Sequence, residues 1–322
     1  MLQLQRLCIG FTSFRQETLS FAERMMQTYE AILLEEPQTP GFDEMLRCEL
    51  PVEEYLQLTD FEFPEYASQT CLILQRLARQ GKTILQVDPY MDELVRIHEF
   101  FAAEGRPDQI AAGTMTREVY DCERVWTGRL LTFYRASGSR QFERIVSSVK
   151  EFAKVDAQKG LLRNRMRAEA IAELFERFRT IYVEAGYIHI PLMYELLRRM
   201  PAGVDFVPAY LMEPIVRSFT GRRQVFGPGD LLTLMYSFQS SFDEARADLL
   251  AAQSLIYNKV VHKEEMIDES GAYPHTRDEI EAIGLATSLD FEQCRKLFYA
   301  LKPLETSKAR TYAHHWRSQH LS

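Results

Sequence analysis

The sequence predicts an α/β protein with a mixed or parallel central sheet of about five strands, flanked by helices and followed by a helical C-terminal region. Up to about residue 210, short apolar runs alternate with helical patterns, which is typical of parallel strands joined by helices. After the turn Gly227-Pro228-Gly229, apolar residues recur only at helical spacing. We therefore predict an α/β domain over residues 1–220 and a helical region over residues 221–322.

Five apolar runs are the predicted strands. Pro37 follows the second run and prevents its hydrogen-bond ladder from continuing. Asp88-Pro89 follows the third run and offers a helix N-cap with proline in the first turn. The five predicted strands are Leu2–Gly10, Ala31–Leu34, Thr83–Val87, Thr180–Glu184 and Asp205–Pro208.

Helices are predicted where apolar residues recur every three or four positions. Within the α/β domain they cover Glu17–Tyr29, residues 43–46 and 52–58, Pro64–Arg79, a helix opened by Asp88, Arg117–Tyr134, Phe142–Phe178 and Pro191–Met200. In the C-terminal region they cover Leu231–Phe238, Asp243–Met266, Arg277–Thr287, Phe291–Leu301 and Ser307–Ser318. Gly81 is the predicted C-cap of the helix before it, and Gly160 is expected to interrupt its helix.

Composition excludes several classes of function. A formal net charge of −8 over 322 residues argues against a general nucleic-acid-binding protein. No apolar run approaches the roughly 20 residues of a membrane span. The five cysteines are scattered without a C-x-x-C pattern, so neither a disulfide framework nor a zinc ribbon is predicted. Without a signal-like N-terminal segment, we expect a cytoplasmic protein.

Glu184 is the main candidate for a site residue, because it lies between Val183 and Ala185 in an apolar run. A carboxylate there is costly unless it is paired or protonated. We expect it to be largely buried and to meet a cation or a ligand. A purely structural ion pair with Arg163, Arg165 or a helix N-terminus is the alternative explanation.

Two further ionisable groups follow predicted strands. Glu36, with Glu35 as its alternative, ends the second strand, where a carboxylate suits metal binding or general-base catalysis. A solvated strand end would explain it as well. His189 lies just beyond Gly186 at the start of a helix, where it could be a metal ligand, a general base or a capping residue.

Three blocks of the sequence resemble the superfamily that includes ChaN-like haem-binding lipoproteins, erythromycin esterases and the TraB/Tiki proteins. Ile9–Ser13, a helix and Ala31–Glu36 are similar to the family's G-x-x-H motif, helix and strand ending in Glu. Arg163–Ala168 is similar to its R-x-x-x-M-A helix start, and Val183–His189 to its V-x-G-x-x-H strand end. The resemblance covers roughly residues 5–210. It implies the same α/β fold.

The resemblance also implies a function. We expect a metal-dependent or metal-free hydrolase whose site lies at the carboxyl ends of the strands and accepts a small-molecule or peptide ligand. The expected site residues are Glu36 or Glu35, Glu184 and His189, with Arg163 or Arg165 stabilising negative charge. Glu36 and His189, together with Glu184, would suit zinc, manganese or iron.

One departure from the family pattern supports a second hypothesis. The first family histidine is replaced near Ser13 or Phe14, and the resemblance implies that this histidine acts in metal binding or catalysis. The alternative is therefore a non-catalytic ligand-binding or interaction protein that kept the fold. The sequence leaves the substrate, the metal and the oligomeric state open.

Overall fold

The computed structural model describes residues 3–58, 61–239, 241, 243–266 and 272–320. At its centre lies a sheet with five described strands, all of them parallel. Their spatial order is Thr83–Gln86, Ala31–Leu34, Thr180–Gly186, Arg6–Thr12 and Asp205–Tyr210. Helices flank this sheet, and a helical region follows it. The predicted fold class is therefore confirmed, with the sheet parallel.

All five predicted strands form, with small differences at their ends. They are β1 Arg6–Thr12, β2 Ala31–Leu34, β3 Thr83–Gln86, β4 Thr180–Gly186 and β5 Asp205–Tyr210. The first begins at Arg6 because its pairing with β4 begins there, opposite Thr180. Leu2, the predicted start of that strand, lies outside the described residues.

The helices before residue 221 are α1 Leu19–Met26, α2 Phe42–Leu46, α3 Val52–Leu56, α4 Pro64–Arg79, α5 Pro89–Ala102, α6 Met115–Ser137, α7 Phe142–Ala172, α8 Ile190–Arg199 and α9 Glu213–Thr220. The C-terminal helices are α10 Pro228–Phe238, α11 Glu244–Val260, α12 Pro274–Thr287, α13 Phe291–Leu301 and α14 Thr306–His320. Within the described part of the chain, no helix has the length and apolar character that crossing a membrane requires.

Two local predictions about helices are wrong. Gly160 does not interrupt α7, which continues to Ala172, since a single glycine in a long helix weakens it without breaking it. The same helix ends at Ala172, before the predicted Phe178, where the N–H groups of Leu174 and Phe175 bond to the carbonyls three residues back in place of four. In contrast, Gly81 has the left-handed backbone (φ 82°) expected of a residue that ends a helix.

The sheet is buried on both faces. Leu7 and Val183 belong to an apolar cluster with residues of α7 and α8. Ile32 and Tyr182 belong to a second cluster with residues of α1 and α4. The side chains on both faces of these strands are therefore apolar, which explains why the strands are continuous apolar runs in the sequence.

The chain divides into two compact units, Met1–Asp121 with Gly160–Gln224, and Cys122–Lys159 with Val225–Ser322. Residues 122–159, predicted as part of the α/β domain, group in this division with the C-terminal helices. The physical reason is that Phe142, Ile145 and Ala153 share an apolar cluster with Leu232 and Leu285. The domain boundary predicted near residue 220 stays a prediction.

Candidate functional site

The carboxyl ends of the strands bring the candidate residues to one edge of the sheet, because all the described strands run in parallel. Ser13 follows β1, Glu35 follows β2, Asp88 lies just beyond β3, and Gly186 ends β4 with His189 in the turn behind it. This edge is where open α/β sheets usually bind ligands.

Glu35 is the centre of an ion-pair network at this edge. Its Oε1 lies 2.9 Å from Nε2 of His189 and 3.0 Å from Nη2 of Arg163. Its Oε2 lies 3.1 Å from Nη1 of Arg167 and accepts the backbone N–H of Gly186 at 2.7 Å. Burial alone would raise the pKa of Glu35, but His189 and the two arginines outweigh it and hold the pKa well below its usual range. Glu35 is therefore a fully satisfied carboxylate.

Asp88 is the second anion of this network and is completely buried. Its Oδ2 accepts from Nε and Nη2 of Arg163 at 2.8 and 2.5 Å. Its Oδ1 accepts the backbone N–H of Met91 at 3.2 Å, which caps helix α5. The sequence predicted the capping role only. The residue thus fixes both a helix start and an arginine of the site.

Arg167, only 1% exposed, joins the ends of three strands. Its Nε donates to the carbonyl of Val87 beyond β3 at 2.9 Å, and its Nη2 donates to the carbonyl of Glu184 in β4 at 2.6 Å. The third contact is the ion pair with Glu35 beyond β2. Sequence reasoning missed this residue as part of the site. The signal was present, because Arg163 and Arg167 are four residues apart and face the same side of a helix.

His189 is held at both ring nitrogens. Nδ1 lies 2.9 Å from Oδ1 of Asn164, while Nε2 lies beside Glu35. Its ring packs close to Gly186, where an added Cβ would meet Phe14 at 3.2 Å and His189 at 3.4 Å. A glycine at the end of β4 therefore lets the histidine and Phe14 approach the strand.

Glu36 and Glu184 lie in a different environment. Oε2 of Glu36 accepts from the side-chain amide of Gln86 at 2.9 Å. Oε2 of Glu184 accepts the backbone N–H of Glu35 at 3.4 Å, and the residue is 5% exposed. Burial raises the pKa of both carboxyls, and burial together with the charge of Glu36 raises the pKa of Glu184 to about 8. Burial thus favours the protonated form of Glu184.

The cation expected beside Glu184 is not there. Among the described residues, no Lys, Arg or His side chain lies within ion-pair distance of its carboxyl group. Arg163 pairs with Asp88 and Glu35, and Arg167 contacts only the backbone carbonyl of Glu184. The sequence predicted burial correctly but could not show that the arginines have other partners.

Arg165 does not join the other predicted site residues. Its Nη2 lies 2.7 Å from Oε1 of Glu118, and both side chains are roughly half exposed. Residues two apart on a helix point in different directions, which is why Arg165 leaves the site while Arg163 and Arg167 enter it. This prediction of a site arginine is therefore corrected to Arg163 with Arg167.

A cavity of about 540 Å³ lies beside these residues. Its polar lining includes Glu35, Glu36 and Arg163 at the strand ends, with Ser13, Arg15 and Glu62 elsewhere around it. Its aromatic lining consists of Phe14, Phe42, Tyr55, Phe61, Phe63 and Tyr66. This aromatic lining could not be predicted from the sequence, because its residues come from four separate segments without a common pattern.

Two contacts shape the aromatic lining. Phe14 has a left-handed backbone (φ 53°), and the hydroxyl of Thr12 accepts its N–H at 3.1 Å. Its ring meets Tyr66 edge to face with centroids 6.3 Å apart. The guanidinium of Arg15 lies 3.7 Å from the centroid of the Phe63 ring. A strained backbone of this kind is found mainly at sites where a side chain must be held in place.

The predicted metal ligands do not form a metal site. In the part of the chain that the structure describes, no three His, Cys, Asp or Glu side chains are placed to hold an ion. His189 already contacts Asn164 and Glu35, and Glu36 contacts Gln86. The set of Glu36, Glu184 and His189 proposed for zinc, manganese or iron therefore does not fit the geometry.

Comparison with known proteins shows the family of this α/β chain. It is 30% identical over 292 residues to an uncharacterized protein of Archaeoglobus fulgidus, a match that covers 90% of this chain and 97% of the archaeal protein. The chain therefore belongs to the same family as that protein. Because the match is nearly complete, it includes residues of both units. No family model and no solved structure matches.

Proposed function

We propose that the protein binds a small organic molecule in the cavity at the carboxyl ends of its strands. The observation that supports this proposal is the cavity itself, whose aromatic lining meets a few charged groups at the sheet edge. Ligand sites in proteins are typically apolar pockets of 300–1,000 Å³ with a small number of polar groups. The cavity of about 540 Å³ lies in this range.

Binding explains the geometry better than hydrolysis does. A general base must reach the proton that it removes, but both ring nitrogens of His189 already face protein atoms. Glu35 is likewise occupied by four donors. We interpret the Glu35 network as a scaffold that fixes the strand ends, so that the neighbouring cavity keeps its shape.

Filling the cavity tests this proposal. Thr70 lines the cavity on helix α4, and Thr70→Phe should weaken binding of a neutral aromatic fluorescent dye by about tenfold or more, which is about 1.4 kcal/mol. Leu72→Phe is the matched control, because Leu72 lies on the same helix, is 39% exposed and is not part of the cavity lining. Equal dye affinity in both variants and the wild type would refute binding in this cavity.

A hydrolase is the second candidate. Its support is the pair Glu36 and Glu184, since burial raises the pKa of both carboxyls and a carboxyl with a raised pKa is suited to general-acid catalysis. If this is the function, Glu36→Gln should lower hydrolysis of an aryl ester by about 10²-fold or more. Glu53→Gln on the exposed face of α3 is the control. A wild-type rate equal to the rate without protein would eliminate this candidate for that substrate class.

We also propose that the chain is a divergent member of the superfamily that includes the ChaN-like proteins, erythromycin esterases and TraB/Tiki proteins. The support is that the three resembling blocks meet at Glu35, which belongs to the first block and pairs with Arg163 of the second and His189 of the third. An experimental structure with the same strand order as a member of that superfamily would support this assignment. A different strand order would end it.

A cytoplasmic location is part of the same proposal. All five cysteines are free thiols, which suits a reducing compartment. Cell fractionation with an antibody against the protein tests it, and recovery in a secreted or envelope fraction would contradict it.

A further inference from the structure

Four carboxyl groups at the strand ends fall into two pairs. Glu35 and Asp88 are matched by the guanidinium groups of Arg163 and Arg167. Glu184, which is buried, and Glu36, which is half-buried beside the cavity, have no such match. Among the described residues, their only hydrogen-bond donors are the Gln86 amide and the Glu35 N–H. The strand ends therefore hold two carboxyl groups in excess of their guanidinium groups.

His189 and the other charged residues that line the cavity do not remove this excess. Even if His189 is counted as a cation, its partner is Glu35 and one carboxyl stays unmatched. Arg15 and Glu62 also line the cavity and add one charge of each sign. A buried carboxylate without a cation is unstable and takes up a proton instead.

The aromatic lining of the cavity also favours a cation. The faces of aromatic rings attract cations, and such cages bind ammonium and quaternary ammonium groups. The cavity next to Glu36 has six aromatic residues in its lining. One ring already interacts with a cation, because the guanidinium of Arg15 lies 3.7 Å from the Phe63 centroid.

From these two observations we infer that the ligand carries a positive charge: it is an amine or quaternary ammonium compound whose apolar body fills the aromatic part of the cavity and whose charged group lies beside Glu36. This inference rests on the proposed binding function and names the class of ligand. The ligand cation would take the place of the cation that Glu36 lacks in the protein.

Binding of a cationic ligand should release protons from the site. Burial raises the pKa of Glu36 and holds that of Glu184 near 8, so a bound cation that favours the ionised form of Glu184 must displace a proton. Other ionisable groups facing these two carboxyls are Glu35, Arg167, Tyr55, Tyr66, Cys71 and Tyr182. Burial raises the pKa of the Cys71 thiol and of the three tyrosines, so these groups stay neutral at pH 7.

Three probes of the same size but different charge test the inference: 2-naphthylmethylamine, 2-naphthylmethanol and 2-naphthoate, titrated calorimetrically into the full-length protein. We expect the amine to bind about tenfold or more tightly than the alcohol, and the naphthoate most weakly. Repeating the amine titration at pH 7 in two buffers of different ionisation enthalpy should show net proton release. Affinity for the amine should rise between pH 6 and pH 8.

Variants assign the charge preference to one residue. Glu36→Gln should remove the preference for the amine over the alcohol while leaving the affinity for the alcohol similar. Glu53→Gln, an exposed carboxyl on α3, should leave the preference intact. If Glu36→Gln does not fold, the probe series and the proton count on the wild type decide the matter.

The outcomes separate the two proposals. Equal affinity for the three probes, or a preference for the naphthoate, would overturn the cationic ligand and keep the binding cavity. The same holds for amine binding without proton release. If none of the probes binds, both the cavity proposal and the cationic ligand fail.

Discussion

Glu35 and Glu36 are neighbours in the sequence, yet their carboxyl groups lie in opposite electrostatic surroundings. Glu35 contacts His189 and two arginines, which hold its pKa far below the usual range. Glu36 contacts a neutral amide and faces the cavity, and its pKa is raised. The difference shows that one sheet edge has both a charge-compensated half, which fixes the strand ends, and an uncompensated half, which is available to a ligand.

Removing an arginine from the compensated half should lower the free energy of unfolding more than any other change considered below. Arg167→Met leaves Glu35 short of a cation and removes the guanidinium donor from the backbone carbonyls of Val87 and Glu184. Removing one partner of a buried ion pair typically lowers the free energy of unfolding by about 3–5 kcal/mol. Chemical denaturation followed by circular dichroism measures this loss.

Arg165→Met is the matched control on the same helix. Its pair with Glu118 is roughly half exposed, so we expect a change of about 0–1 kcal/mol. Similar losses in both variants would show that the buried network contributes no more than a surface ion pair.

The uncompensated half should respond to pH. The folded pKa of Glu184 is about 8, above the unfolded value of about 4.3, so the folded state holds the extra proton between these limits. Stability therefore falls as pH rises through this window, by up to about 1.4 kcal/mol per pH unit from this group. Glu184→Gln should remove that contribution, and the variant should be more stable than the wild type at pH 8. Equal pH dependence in both proteins would show that Glu184 is not a buried, protonated carboxyl.

A smaller loss of stability is expected from a substitution at Gly186, which lies beside both Glu35 and Phe14. A Cβ there would lie 3.2 Å from the Phe14 ring and 3.4 Å from His189, so Gly186→Ala should lower the free energy of unfolding by about 1 kcal/mol. Gly160→Ala is the control, because no atom lies within 4 Å of its Cβ position and alanine stabilises a helix by roughly 0.5–1 kcal/mol. A Gly186→Ala variant as stable as the wild type would show that the Phe14 ring moves aside freely.

The fold could be predicted from the sequence because its signals are local. Each strand is a continuous apolar run, since both faces of the parallel sheet are covered. The helices follow from apolar spacing and from caps such as Asp88. The exception is the grouping of residues 122–159, which depends on apolar contacts with distant helices that no local pattern shows.

The site could be predicted only in part. From the sequence, Glu184, His189 and Arg163 were expected at the carboxyl ends of the strands, and they lie there in the structure. The sequence could not decide between Glu35 and Glu36, because successive residues at a strand end point to opposite sides. The aromatic lining of the cavity could not be predicted, since Phe14, Tyr55 and Phe63 come from separate segments that meet only in the folded chain.

The measurement that tests the two halves most directly is a carbon-13 NMR titration of glutamate carboxyl groups in the folded protein, with signals assigned by Glu35→Gln and Glu184→Gln. We predict that the Glu35 signal stays that of an ionised carboxylate down to the acid limit of the folded state. The Glu184 signal should change from protonated to ionised near pH 8. A Glu184 signal that is already ionised at pH 6, or a Glu35 signal that titrates near its ordinary value of about 4.3, would contradict the division of this edge into a compensated and an uncompensated half.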